Sequence, residues 1–201
     1  MKHAMVGIAA EFVDLLRTRL DAGIMTTEDS IRYTFFASLL RQGVRPEQVV
    51  LEYPHPAIER AEIDTVVLDN AGEIQTAIEF KYNRAIPSGR NQPMPQQAGK
   101  ALGDLVRLIR ITLDIERYFV YVTDAEMAKY WQNPKNGLRE VFELGREDEL
   151  EITDDYFLNR SRTLRSAMGT WPQPATIACV TRAELPRQHW LRLYSLHTPA
   201  S

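Results

Sequence analysis

"AIEFKYNR" runs from Ala77 to Arg84. Read as a β-strand, it puts Glu79 and Lys81 on one side and Ile78, Phe80 and Tyr82 on the other, because side chains two apart share a face. An isolated Glu-x-Lys in a strand is ordinarily a solvated edge. A second acidic strand just upstream changes that. "EIDTVVL" carries Glu62 and Asp64 at the same spacing, and "DNAGE" between the two strands marks a turn. A four-residue loop from Asp69 to Gly72 pairs Leu68 with Glu73. Asp64 then faces Ala77, and Asp64 and Glu79 become diagonal neighbours, about 7–8 Å apart at the backbone. A five-residue loop would move them to opposite faces, since a one-residue slip reverses every side chain. The arrangement therefore requires an even loop or a bulge. Gly72 suits the left-handed position such a loop often needs.

Opposed like charges cost roughly 0.2–1 kcal/mol, so stability alone gives no reason to crowd carboxylates here. A hard divalent cation does. Mg²⁺, for which Mn²⁺ substitutes, takes oxygen ligands, usually one or two carboxylates plus waters and substrate phosphates. Asp64 and Glu79 are then candidate metal ligands. Lys81 would orient or deprotonate a metal-activated water, or stabilise charge developing on a phosphate. Burial and a nearby metal would both lower the lysine pKa.

The elements that must hold these residues are legible on either side. Val6, Phe12, Val13, Leu16 and Leu20 have helical spacing over 5–20. Thr26 or Thr27 caps a second helix over about 28–42, with Ile31, Phe35 and Leu39 on one side. "VVLEYP" precedes the two charged strands, a Pro/Gly/Gln-rich loop follows them, and a helix over about 95–112 leads into the apolar strand "RYFVYVTD". A short helix follows from about 125 to 131. Beyond 133 the pattern weakens into an acidic, glycine-broken stretch. Two late strands, "TIACVTRAEL" and "HWLRLYSL", either extend the sheet or pair with each other. This predicts an α/β (α+β) fold, a mixed central sheet flanked by helices, in one domain over 1–201.

Asp64, then Glu79-Phe80-Lys81 fifteen residues on, resembles the PD-(D/E)xK nuclease superfamily, whose fold is called restriction-endonuclease-like. The family core is helix, three strands, helix, strand, with the aspartate on the second strand and the (D/E)xK on the third. That order matches about 28–123, leaving 133–201 as a C-terminal elaboration. The resemblance implies a Mg²⁺-dependent nuclease that hydrolyses phosphodiester bonds of nucleic acid, DNA before RNA, in restriction, defence or repair. The alternative is a catalytically inactive relative that binds nucleic acid or serves as an assembly subunit. By resemblance Asp64 and Glu79 hold the metal and Lys81 is catalytic. Glu28 stands for the glutamate many members carry on the first core helix, although an acid also suits a helix N-terminus. Gln96 stands for the glutamine some branches carry on the following helix, but the Gln-x-x-x-Tyr pattern of the exonuclease branch is absent. Two copies cutting two strands would make a homodimer.

Arg84, Arg90 and Lys100 follow the motif closely and are candidate nucleic-acid contacts, with Arg107 and Arg110 either joining them or forming the wet face of a helix. They would have to act locally, because the net charge of −3 supplies no basic field. Cys179 is the single cysteine, which excludes a disulfide within the chain and suits a cytoplasmic protein. No apolar run nears the roughly 18 residues of a membrane span. No P-loop, dinucleotide fingerprint or G-x-S-x-G elbow appears. His3, His55, His189 and His197 lack metal-ligand spacing, Trp131, Trp171 and Trp190 read as core or interface residues, and Cys179 as a small buried residue.

Overall fold

A computed structural model describes residues 2–85, 89 and 91–199. Helix α1 (Lys2–Asp21) leads to α2 (Glu28–Arg41). Thr27 caps α2: its hydroxyl accepts the Ser30 N–H, while the Ser30 hydroxyl accepts the Thr27 N–H. Strands β1 (Val49–Pro54), β2 (Glu62–Leu68) and β3 (Ile74–Asn83) follow, then α3 (Met94–Ile109) and β4 (Glu116–Asp124). From α2 to β4 the order is helix, three strands, helix, strand, as expected above. The remainder is α4 (Ala125–Gln132), α5 (Arg139–Glu143), β5 (Glu149–Ile152), α6 (Arg162–Met168), β6 (Ala175–Leu185) and β7 (His189–His197), with short 3₁₀ turns between.

Among the described residues the seven strands join one sheet in the order β1-β2-β3-β4-β7-β6-β5. There only β3 and β4 pair in parallel, and α3 is the crossover that parallel strands require. The late strands do both things the sequence left open: β6 and β7 pair with each other, and β7 extends the sheet from β4.

Each face of the sheet carries its own core. Under α1 and α2 lie Phe12, Phe35 and Phe80, edge to face at 5.1 and 5.3 Å between ring centres. Under α3 to α6 lie Ala101, Leu105, Leu108, Tyr121, Trp131, Phe142 and Trp171. Cys179 is buried there as a small core residue. Among the described residues no helix is long and apolar enough to cross a membrane.

The β2–β3 turn corrects the expected register. Leu68 pairs with Ile74, so the connection is five residues long, with the Asp69 N–H donating to the Glu73 carbonyl at 2.8 Å. That alone would send Asp64 and Glu79 to opposite faces. A bulge at the Val67–Leu68 step then shifts the register by one, pairing Val66 with Ala77 and Thr65 with Ile78. The bulge restores the phase that the shorter loop was expected to provide. Gly72 does occupy the left-handed region, at φ +85°.

Candidate active site

Thr65 and Ile78 are the last paired residues of β2 and β3. Beyond them the strands part, and β3 would be left with N–H groups aimed at no partner strand. Two carboxylates take them. Asp64 Oδ2 accepts from the Phe80 N–H at 2.8 Å, and Glu28 Oε2 accepts from the Tyr82 N–H at 2.8 Å. Charged acceptors on main-chain donors are among the stronger hydrogen bonds.

Asp64 is thus not a diagonal neighbour of Glu79 on one flat face. Alternation along β2 breaks beside it: Ile63 and Val66, three apart, share the core under α3. Its carboxylate turns inward toward the β3 backbone. On β1, Glu52 is left out of the otherwise regular pairing between Leu51–Thr65 and Tyr53–Ile63, and takes a left-handed φ of +54°. Such strain in a non-glycine residue persists only where its surroundings enforce it.

Glu79 and Lys81 point from β3 toward α3, and α3 supplies charges to meet them. Arg107 donates from Nε to Glu79 Oε1 at 3.1 Å and from its terminal nitrogen to Oε2 at 2.9 Å. The other Arg107 terminal nitrogen lies 2.9 Å from Asp104 Oδ1. Lys81 Nζ sits 3.2 Å from Glu28 and 3.5 Å from Asp104 Oδ2. Arg32, one turn beyond Glu28 on α2, is 2.9 Å from Asp64 and 3.5 Å from Glu52. Glu28 therefore serves as a helix N-terminal acid and also reaches the site.

Glu79 is fully buried and Asp104 is 3% exposed. Burial pushes the Glu79 carboxyl well above its usual range; Arg107 pulls it back, and nearby Asp64 adds to the rise. Burial raises Asp104 to about 6 against the pull of Lys81 and Arg107. Lys81 departs from expectation. Burial pulls its ammonium down, but Asp104 and Glu28 outweigh it and the net shift is upward. Among the groups described, Lys81 is a held cation rather than a lysine primed to lose its proton.

Gln96 does not join the cluster. It lies about 12 Å up α3 from Asp104 by helical rise and, with Lys100, lines a groove against Arg162, Thr163, Ser166 and Ala167 of α6. Arg84 follows the end of β3, its guanidinium 5.9 Å from the Tyr82 ring centre, and lines a pocket with Tyr82, Asp124 and His189. Arg90 lies outside the described residues. His55 is a bracing residue: Nδ1 accepts from the Ala57 N–H, so Nε2 carries the proton and donates to the Arg107 carbonyl at 2.9 Å.

Sequence reasoning missed Asp104 and the inward turn of Arg107. The signal was present: Asp104 falls among Ala101, Leu105 and Leu108, within the apolar stripe of the helix. A carboxylate on that stripe demands a buried partner.

Among the described residues no three His, Cys, Asp or Glu side chains group closely enough to hold a metal ion by themselves. The donor chemistry still suits a cation that takes one or two carboxylates and completes its shell with water and phosphate. The cluster sets four carboxyl groups (Glu28, Asp64, Glu79, Asp104) against three basic side chains (Arg32, Lys81, Arg107) in a largely buried place. Comparisons with protein families, with curated proteins and with solved structures find no match. A functional reading therefore stands on these residues.

Proposed function

We propose that the chain is a Mg²⁺-dependent nuclease of PD-(D/E)xK type, hydrolysing phosphodiester bonds of nucleic acid, DNA in the first instance. One observation carries the reading. Asp64, Glu79 and Lys81 converge where β2 and β3 part, and Glu28 reaches them from the helix that opens the core. Strand splay leaves main-chain donors that carboxylates must satisfy, so the same geometry that builds the site also fixes its acids.

Asp64 and Glu79 would hold Mg²⁺, which when bound supplies a more acidic water and offsets charge developing on the phosphate. Lys81, held as a cation, orients the attacking water and stabilises charge on the phosphoryl oxygens. Glu28 and Asp104 keep the ammonium between them. Arg84, just beyond the end of β3, would meet the backbone of the nucleic-acid strand. The single buried Cys179 suits a reducing, cytoplasmic setting, and a homodimer would let two copies cut two strands.

A second reading, a catalytically inactive nucleic-acid-binding or assembly subunit, is favoured by one feature. Both candidate metal ligands already hold a guanidinium, Asp64 that of Arg32 and Glu79 that of Arg107.

Cleavage of supercoiled plasmid, single-stranded DNA and RNA in Mg²⁺ or Mn²⁺ separates the readings. The nuclease reading expects wild type to cut, EDTA to stop it, and Lys81→Ala to lose about 10²–10⁴-fold in rate. A wild type that shifts labelled nucleic acid in a gel but leaves every substrate intact supports the second reading and sinks the first.

A further inference from the structure

Asp104 is the acid that the fold does not need. Without it each cation of the cluster still has a carboxylate: Arg32 has Asp64, Lys81 has Glu28 and Arg107 has Glu79. Burying an ion costs several kcal/mol even after relaxation, and Asp104 is 3% exposed. Its Oδ1 meets Arg107 at 2.9 Å. Its Oδ2 is buried with no hydrogen-bond partner and faces the Lys81 ammonium at 3.5 Å.

The effect is a brace. Lys81 has a long flexible side chain, and Glu28 alone would draw its ammonium toward α2. Asp104 draws it toward α3, on the other side of the sheet. Two carboxylates from helices on opposite faces hold one ammonium between them. The second oxygen ties that ammonium to the guanidinium on Glu79.

We infer that Asp104 is a positioning residue of the nuclease centre, a role that rests on the reading above: it fixes Lys81 and Arg107 relative to Asp64 and Glu79, and turnover depends on it. A reacting group misplaced by about 1 Å loses about 100-fold in rate, and a centre whose supporting residues are left loose loses its precision.

The test is plasmid cleavage by the full chain in Mg²⁺, with kcat and KM determined separately. Asp104→Asn keeps the shape and can still bond Arg107, but removes the charge that holds Lys81. It is expected to lower kcat about 100-fold, leave KM within about twofold, and leave the melting temperature no lower. Lys81→Ala combined with Asp104→Asn is expected to be no slower than Lys81→Ala alone, because Asp104 acts through the lysine. If the asparagine variant does not fold, Asp104→Ser, which is smaller, carries the same expectation. Wild-type kcat in a folded Asp104 variant overturns the role, as do losses that multiply in the double variant. A wild type inert in Mg²⁺ and Mn²⁺ overturns the nuclease reading itself, a different outcome from a wild type and variant that cut alike.

Discussion

Glu79 and Arg107 face each other across the gap between β3 and α3, joined by paired hydrogen bonds of 3.1 and 2.9 Å. The carboxylate is fully buried, while the arginine side chain is 35% exposed. Any cation that binds Glu79 must therefore compete with a guanidinium that can swing toward solvent. Removing Arg107 has two consequences of opposite sign. It leaves a buried carboxylate without its counter-charge, a change that costs about 3–5 kcal/mol. It also clears the carboxylate for a metal ion, and a ligand that binds only the native state stabilises it by RT ln(1 + [L]/Kd).

Arg107→Ala is thus expected to melt well below wild type in EDTA and to regain more in Mn²⁺ than wild type gains. Thermal unfolding of both proteins, with and without Mn²⁺, measures the difference. Equal gains would show that Arg107 and the metal do not share Glu79. The double variant Glu79→Ala, Arg107→Ala is the control and is expected to show little response to the ion.

Asp104 makes stability depend on pH in a definite sense. Its carboxyl is raised by burial, against the pull of Lys81 and Arg107, from 3.8 to about 6. A raised acid favours the folded state while protonated. That contribution is present below pH 4, falls away between about pH 4 and 6, and is gone above. Roughly two pK units correspond to about 3 kcal/mol. Asp104→Asn lacks the titration. Its stability relative to wild type is expected to rise across that window and to level off above about pH 6. Denaturant unfolding at several pH values checks it, and a constant difference from pH 4 to 7 would show that Asp104 does not carry the shift.

Much of this site is legible in the sequence, for a physical reason. A strand has a two-residue period, so Glu79 and Lys81 had to share a side, and a buried strand with charges must meet them with other charges. The hairpin phase came out as expected by a different route: a longer loop and a bulge add one residue each, and a shift of two restores the face. No periodicity reveals a bulge. The in-plane turn of Asp64 was hidden for the same reason, since it follows from where the strands part. Gln96 was misplaced because helical spacing does not say which neighbour a helix faces; α6 occupies that side. Between residue 133 and β6 the segment was opaque because α5, β5 and α6 are each too short to show a period, whereas the two late strands were legible. Asp104 is readable as a carboxylate within the apolar stripe of its helix.

The packing of α6 on α3 supplies the most exacting test of the scaffold that carries Asp104 and Arg107. Gly99 and Gly103 both lie on α3 and both turn toward α6, but at different clearances. A Cβ on Gly99 would sit 2.3 Å from the Leu164 carbonyl oxygen and 2.8 Å from the Ala167 Cβ. The nearest atom to a Cβ on Gly103 is the Met168 carbonyl oxygen at 3.4 Å, ordinary contact. Gly99→Ala must therefore push the helices apart, and overpacking of this kind costs about 1–3 kcal/mol. Gly103→Ala has room, and exchanging glycine for alanine inside a helix gains up to about 1 kcal/mol. Urea unfolding should show opposite signs at two sites one helical turn apart. On the nuclease reading, Gly99→Ala should also slow cleavage, because the displaced helix carries Asp104 and Arg107 with it. If both variants unfold at the wild-type midpoint, α6 does not pack against α3 at the distance described, and the groove beside Gln96 and Lys100 has a different shape.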